Sequence, residues 1–199
     1  MKVFKSEEIN RNFTMNIFVD TNVFLSVYFS QNNYFSEICE KDYHNFLKNK
    51  TNLYTDFTVI SELFNRILKK SWKDYCLENN VNLTRFSYKK YRETKDFSSS
   101  IDDVCQKVCQ ILSKVNLVNF EYDSKDLSLK IGENQFNTID FNDFHIINVC
   151  QRYDFCLWTN DIDFKNKNIK IFTENGKYFD QKMNLEELFR KNNTKSCNS

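Results

Sequence analysis

The chain has no proline and only two glycines, Gly132 and Gly176, among its 199 residues. It therefore lacks the glycine-rich loop that cradles nucleotide phosphates in many phosphate-handling enzymes. No Pro- or Gly-rich linker divides it, so we expect one domain covering residues 1–199. The two histidines, His44 and His145, have no cysteine or histidine partner at the spacing of a zinc site, which argues against zinc chemistry.

Long apolar runs and a secretory signal are also missing. No run approaches the ~20 residues that span a bilayer, and the first residues lack an apolar core and include Glu7 and Glu8. Seven cysteines, an odd number, indicate free thiols in a reducing compartment. Cys105 and Cys109, at helical spacing, are interpreted as core or surface thiols. We expect a cytoplasmic protein with no membrane segment.

The net charge of +1 conceals two blocks of opposite sign. Residues 65–96 contain nine Lys and Arg against four acids, whereas residues 117–163 contain nine acids against three basic residues. This pattern suits a metal-dependent enzyme that acts on a polyanion. It equally suits two solvated faces with no common function.

Two apolar segments, Ile17–Val19 and Phe155–Trp158, each break off into polar residues. The first is followed by Asp20, Thr21 and Asn22, and the second by Thr159, Asn160, Asp161, Ile162 and Asp163. Buried strands of an α/β sheet place their chemistry where their carboxyl ends meet. We therefore expect one acidic site at one sheet edge, supported by the hydroxyl and amide groups of Thr21, Asn22, Thr159 and Asn160.

Strand-like and helix-like segments alternate along the rest of the chain. Further strands are predicted at residues 53–55, 117–122 and 169–172. Helices are predicted at 23–29, 34–50, from about 56 or 58 onward, and at 97–115, 124–131, 141–153 and 185–191. Residues 1–15 are polar and are predicted to be a loose lead-in. The alternation predicts an α/β fold with a largely parallel central sheet flanked by helices.

Four acids from distant parts of the chain are placed to converge at that edge: Asp20, Glu62, Asp143 and Asp161. Crowded carboxylates raise one another's pKa unless a divalent cation neutralises them. Oxygen ligands without thiolate or imidazole suit Mg²⁺ or Mn²⁺, which can promote phosphodiester hydrolysis. Each acid alone also has a structural interpretation: a helix cap, a partner for Arg66, a first-turn acid or a turn residue.

Four motifs, in this order, resemble those of PIN-domain nucleases, a family that includes the toxins of VapC-type toxin–antitoxin pairs. They are Val-Asp-Thr-Asn-Val at 19–23, Val-Ile-Ser-Glu-Leu at 59–63, Asn-Asp-Phe-His-Ile-Ile at 142–147 and Thr-Asn-Asp-Ile-Asp-Phe at 159–164. The resemblance covers about Asn16 to Phe172 and implies a three-layer fold with the sheet between helices. It implies that Asp20, Glu62, Asp143 and Asp161 bind Mg²⁺ or Mn²⁺, with Asp163 assisting and the Thr159 hydroxyl supporting the site. It also implies an endoribonuclease, with a small antitoxin and a second copy of the chain as candidate partners.

Two departures from the family pattern leave questions open. The chain is longer than a compact PIN toxin, and the excess forms a predicted helical, basic insert at about 66–134. Asp140 lies three residues before Asp143 and is an alternative third ligand. Asp143 is preferred because Ile147, one helical turn later, would pack in the core behind it.

The insert supplies candidate RNA-binding residues in two groups, which are Lys69, Lys70 and Lys73, then Lys89, Lys90 and Arg92. Trp72, Tyr88 or Tyr91 could stack on exposed bases. The alternative is that these aromatic residues belong to the hydrophobic core and that the basic residues form the solvent-exposed face of the same helices. Two other functions stay open for the whole chain: a Mg²⁺-dependent phosphohydrolase for a small substrate, and a catalytically silent RNA-binding protein.

Overall fold

The structure, a computed structural model, describes residues 1–8, 14–29, 34–132 and 139–179. Its strands are β1 (Lys2–Phe4), β2 (Ile17–Val19), β3 (Leu53–Asp56), β4 (Asn116–Val118), β5 (Cys156–Trp158) and β6 (Lys170–Phe172). Its helices are α1 (Thr21–Tyr28), α2 (Tyr34–Lys48), α3 (Phe57–Glu78), α4 (Tyr88–Tyr91), α5 (Lys95–Leu112), α6 (Ser124–Gly132) and α7 (Phe141–Tyr153). The helix predicted at 185–191 lies outside the described residues.

All the described strands join one parallel sheet in the order β1-β6-β5-β2-β3-β4. Every residue of β2 and β5 is buried, as expected for parallel strands covered by helices on both faces. The predicted α/β fold with a parallel central sheet is therefore confirmed. β2 and β5 lie side by side, with Val19 opposite Trp158, so the residues that follow them emerge at the same edge.

The loose lead-in predicted for residues 1–15 is wrong at its start, because Lys2–Phe4 forms edge strand β1. Phe4 is buried and lies opposite Phe172 of β6. A strand of three residues offers too short a stretch to show alternation between polar and apolar positions. Its strand conformation comes from pairing with residues that are distant in sequence.

Aspartates start three of the helices. Asp20, Asp56 and Asp140 are the N-caps of α1, α3 and α7, and each side chain accepts a hydrogen bond from a first-turn backbone N–H. This arrangement satisfies donors that would otherwise lack a partner at a helix start. Helix α7 ends at Asp154, whose backbone is left-handed with φ of 54°, a usual way to terminate a helix.

The predicted insert contains the second half of α3, then α4, α5, β4 and α6, and its treatment as an insert stays a prediction. Trp72 donates its indole N–H to the Phe86 carbonyl at 3.1 Å and meets the ring of Tyr88 edge-on. Tyr91 is 1% exposed and packs edge-on against Phe97. These rings hold α3, α4 and α5 together, so base stacking by Tyr91 is ruled out.

Ser6 joins two carboxyl groups beside the β1–β6 edge. Its hydroxyl oxygen lies 2.5 Å from Asp42 Oδ2 and 2.7 Å from Glu174 Oε1. One hydroxyl proton can serve only one of them, so the second contact needs a protonated carboxyl. Burial, followed by the nearby Glu174 charge, raises the pKa of Asp42 to about 6, so Asp42 takes up a proton as the pH falls through this value.

We expect Asp42→Asn to remove part of the pH dependence of stability. A pKa that is higher in the folded state stabilises the protein fully below the unfolded value, and this contribution is lost as pH rises through about 6. The wild type should therefore lose roughly 1–3 kcal/mol of unfolding free energy relative to the variant between pH 4 and pH 8. Urea unfolding at several pH values measures this difference, and parallel pH profiles for the two proteins would contradict the shared proton.

None of the helices in the described part of the chain combines the length and apolar character needed to cross a membrane.

Candidate active site

Asp20 is held in place by four polar contacts at the carboxyl end of β2. Its Oδ1 accepts from the Thr21 backbone N–H at 2.6 Å. Its Oδ2 accepts from the Thr159 hydroxyl and from the Asn22 amide, both at 2.6 Å. The Asp20 backbone N–H donates to the Trp158 carbonyl at 3.1 Å. The carboxylate is therefore fixed in orientation by both strands.

The polar residues predicted to support the site are hydrogen-bonded to one another. Asn22 donates to the Thr159 hydroxyl at 3.1 Å and accepts from the Asn160 backbone N–H at 3.1 Å. The Thr159 hydroxyl oxygen also accepts from the Asp161 backbone N–H at 3.0 Å. These bonds tie the turn after β5 to the start of α1, and so tie Asp161 to Asp20.

Glu62 approaches the same edge from α3. One of its carboxylate oxygens accepts from the Thr21 hydroxyl at 3.1 Å, and the other lies 3.3 Å from the Arg66 guanidinium. Thr21 therefore lies between Asp20 and Glu62, with its N–H directed to the first and its hydroxyl to the second. Glu62 therefore contacts Arg66 directly and is joined to Asp20 through Thr21.

Asp143, in the first turn of α7, completes the group with Asp161 and Asp163. Burial, and then the neighbouring Asp140, Asp161 and Asp20 charges, raise the pKa of Asp143 to about 7. Burial likewise raises the pKa of Asp20 to about 6, with Glu62 and Asp161 adding to the rise. Asp143 therefore lies near Asp20, Asp161 and Asp163, and Asp20 lies near Glu62 and Asp161.

The two candidates for the third acid differ in what they do. Asp140 is exposed, and its side chain caps α7 by accepting from the Asp143 backbone N–H at 2.8 Å. Asp143 is partly buried and lies within the field of Asp20 and Asp161. Ile147 behind it is buried in the core, as its spacing predicted. The geometry therefore favours Asp143 over Asp140.

The donor set suits a hard divalent cation. In the part of the chain that the structure describes, no three Asp, Glu, His or Cys side chains already enclose a point where an ion could bind. The acids nevertheless oppose one another's ionisation in a partly buried place, and positive charge there would relieve both burial and repulsion. All the candidate donors are oxygens, the preference of Mg²⁺ and Mn²⁺.

A chain of contacts behind this site is not apparent from the sequence. His145 Nε2 lies 2.6 Å from Asp56 Oδ2, and His145 Nδ1 lies 3.0 Å from the Tyr122 hydroxyl. When Nε2–H donates to Asp56, Nδ1 of the neutral ring can accept from Tyr122. The other oxygen of Asp56 caps α3 at Val59, so Asp56 joins the starts of α3 and α7. Asp56 and His145 are 89 residues apart, and no local pattern links them.

Tyr178 and Asn175 also contact the turn after β5, although no sequence pattern predicts these contacts. Asn175 donates to the Asn160 carbonyl at 2.9 Å, and the Tyr178 hydroxyl donates to the Asp161 carbonyl. Burial, and then the charges of Asp161 and the other acids, raise the pKa of Tyr178 above its ordinary value. The two residues hold the backbone of the turn after β5 from its far side.

The six predicted RNA-binding residues are spread over different surfaces. Lys69 lines a cleft together with Glu62 and Arg66. Lys70 pairs with Asp74 at 3.2 Å and lines a second cleft between α1 and α3. The others are exposed side chains of α3, α4 and the residue after α4, namely Lys73, Lys89, Lys90 and Arg92. Of the six, only Lys69 lines the cleft that contains a candidate catalytic acid.

Comparison with known proteins supplies a family. A model described as the PIN domain matches residues 17–170, a range that includes Asp20, Glu62, Asp143, Asp161 and Asp163. No curated protein matches the chain. Among solved structures, it is similar to a chain in the crystal structure of VapBC2 from Rickettsia felis bound to a DNA fragment from their promoter. The identity is 17% and the TM-score 0.46, over 80% of this chain and 98% of that chain.

Proposed function

Because the chain belongs to the PIN domain family, whose members are generally nucleases, we propose that it is an endoribonuclease dependent on Mg²⁺ or Mn²⁺. The observation that carries the proposal is the hydrogen-bonded arrangement at this edge of the sheet, in which Thr21 lies between Asp20 and Glu62 and Thr159 bonds both the Asp20 carboxylate and the Asp161 backbone N–H. We propose these four acids as the metal ligands, with Asp163 assisting. Thr21, Asn22, Thr159 and Asn160 support them through the hydrogen bonds described above.

A divalent cation held there would lower the pKa of a bound water and neutralise charge on the phosphate oxygens. The chain's own part is to fix the acids before substrate binds, since Thr159, Asn22 and Thr21 leave the Asp20 carboxylate a single orientation. Arg66, beside Glu62, places a positive charge where an RNA phosphate would approach. Groups oriented in advance need no rearrangement during the reaction.

Cleavage of a single-stranded RNA, with and without Mg²⁺ or Mn²⁺, tests the proposal. We expect cleavage with either ion and none in excess chelator. Hydrolysis of p-nitrophenyl phosphate without RNA cleavage would favour the alternative phosphohydrolase. RNA binding with no cleavage in any metal would favour the silent RNA-binding protein.

We expect Mn²⁺ to raise the melting temperature, and Asp143→Asn to remove most of that rise. At a concentration 100-fold above its Kd, an ion adds about 2.7 kcal/mol to the unfolding free energy, or roughly 5–10 °C for a chain of this size. The rise should be larger at pH 8 than at pH 6, because the pKa values of Asp20 and Asp143, about 6 and about 7, make protons compete with the metal.

Asp140→Asn is the matched control for this shift. Asparagine keeps the helix cap, so this variant should respond to Mn²⁺ as the wild type does. A variant at position 140 that loses the Mn²⁺ response, while Asp143→Asn keeps it, would overturn the assignment of the third ligand.

The VapC-like motifs lead us to propose a small antitoxin as a partner and a homodimer as the assembly. Expression of the chain alone should then arrest growth, and co-expression of the product of a neighbouring short reading frame should restore it. Growth unaffected by the active chain would argue against a toxin while leaving the nuclease proposal intact.

A further inference from the structure

The outer face of α3 carries two rows of side chains at intervals of four residues. One row is Phe57, Ser61, Asn65 and Lys69, and the other is Thr58, Glu62 and Arg66. Residues four apart lie on one side of a helix, and all seven line a cleft of about 480 Å³. The first row runs from an aromatic ring through a hydroxyl and an amide to a cation, over roughly 18 Å of helix.

Phe57 is the unusual member of this surface. Its side chain is 80% exposed, although it belongs to the first turn of the helix that packs on the sheet through the buried Val59, Ile60 and Leu63. The fold therefore does not use this ring for its core. It stands at the end of the cleft that is nearest the helix start, one turn before Ser61 and five residues before Glu62.

The far wall of the cleft comes from α7. Asn142, directly before Asp143, lines the cleft opposite α3. The cleft thus shares Glu62 with the acidic site and adjoins it through Asn142. A polymer that lies in the cleft would have one of its backbone groups beside the acids.

We propose that this cleft binds a single-stranded segment of the RNA next to the bond that is cut. In this arrangement the Phe57 ring stacks on one unpaired base. The polar side chains that form hydrogen bonds to base edges or ribose hydroxyls are Ser61, Asn65 and Asn142. The phosphates are contacted by Arg66 and Lys69. This inference rests on the proposed function, because it takes RNA as the substrate. It adds the residues that hold the RNA and the requirement that its bases be unpaired.

The chemistry of the lining favours this occupant. Stacking on an aromatic ring accepts any base but requires that the base be unpaired. Arg66 and Lys69 suit a polyanion, and the amide and hydroxyl groups between the ring and the cations suit sugars and base edges. Phe57 is the one large apolar side chain among the lining residues, so the surface lacks the apolar stripe with which a partner helix would pack.

The test is equilibrium binding of fluorescein-labelled single-stranded oligoadenylate, followed by anisotropy in chelator so that the RNA stays intact. The full-length protein carries Phe57→Ser, Phe57→Leu or Phe57→Trp. We expect about tenfold weaker binding for serine and leucine, and near wild-type binding for tryptophan. Tyr34→Ser is the matched control, because Tyr34 is 78% exposed in the first turn of α2 and does not line the cleft.

Salt dependence separates the ring from the cations. Lys69→Gln should weaken binding and reduce the slope of log affinity against log salt by about 0.7, the value for one phosphate contact on a single strand. Phe57→Ser should leave that slope unchanged, because stacking releases no counterions. A fully paired RNA duplex should bind the wild type and Phe57→Ser equally.

Two results would overturn the proposal. One is unchanged affinity for Phe57→Ser, and the other is full binding by Phe57→Leu, which would show that the contact with RNA does not depend on an aromatic ring. The Mn²⁺-induced rise in melting temperature should persist in Phe57→Ser, which shows that the acidic site is intact. If the wild type cleaves RNA and Phe57→Ser binds RNA normally, the assignment of the cleft is wrong but the proposed function stands. If the wild type neither binds nor cleaves RNA, both the cleft assignment and the proposed function are wrong.

Discussion

Asp20→Asn is expected to abolish RNA cleavage, with a loss on the order of 10³-fold or more. Asparagine has nearly the same shape, and its one amide oxygen can still accept from the Thr21 backbone N–H, while its NH₂ group takes the place of Oδ2 beside Thr159 and Asn22 and cannot accept from them. The cap of α1 is kept, so the fold should persist. It lacks the negative charge that a divalent ion needs from its most firmly held ligand. Single-turnover cleavage of a labelled single-stranded RNA in Mn²⁺ measures the loss.

The chain offers a matched control for this experiment in Asp42→Asn. Asp42 is also a buried aspartate, and burial raises its pKa to about 6, as for Asp20. Its partner is Ser6 rather than the acids of the candidate site. Cleavage by Asp42→Asn should stay within a few-fold of the wild type. Equal losses in the two variants would show that the effect of Asp20→Asn is a general consequence of altering a buried aspartate.

Asp56→Ala is expected to produce the largest loss of stability among the acids, about 2–4 kcal/mol. The alanine removes the cap of α3, worth about 1 kcal/mol. It also leaves the His145 N–H, which is largely shielded from water, without an acceptor. Thermal unfolding should show the melting temperature falling by roughly 5–15 °C.

Two variants separate these contributions. Asp56→Asn keeps an oxygen for the cap or for His145 and should cost less than the alanine. Asp140 is exposed and its side chain caps the start of α7. Asp140→Ala therefore measures the unfolding free energy lost with a helix cap alone, about 1 kcal/mol. If Asp56→Ala and Asp140→Ala cost the same, the contact with His145 contributes nothing measurable to stability.

The candidate acids could be predicted from the sequence because of where they fall together, although the motifs of Glu62 and Asp143 are weak alone. Asp20 comes directly after an apolar segment that reads as a buried strand, and Asp161 comes three residues after another. Glu62 and Asp143 lie on helices whose apolar spacing shows which side packs inward. Since carboxyl ends of parallel strands meet at one edge, the predicted topology alone brings these acids to the same side of the sheet.

What the sequence did not show depends on contacts between distant segments. Residues 2–4 form strand β1 because they pair with β6. His145 links α7 to the start of α3 because its ring contacts the Asp56 carboxylate. The sequence shows that Trp72 and Tyr91 are aromatic residues in a basic region. It does not show that their rings pack between α3, α4 and α5. Composition and spacing carry no information about which distant residue fills a contact.

The order of strands in the sheet has a consequence for when the protein acquires its chemistry. One of the three hydrogen bonds that orient the Asp20 carboxylate comes from Thr159, 139 residues later in the chain, and strand β5, which lies beside β2, comes equally late. Pairings so distant in sequence form slowly and only after the intervening chain exists. A chain still emerging from the ribosome therefore has Asp20 exposed before Thr159 exists to orient it, so the proposed activity should arise only after the residues around Thr159 have been synthesised.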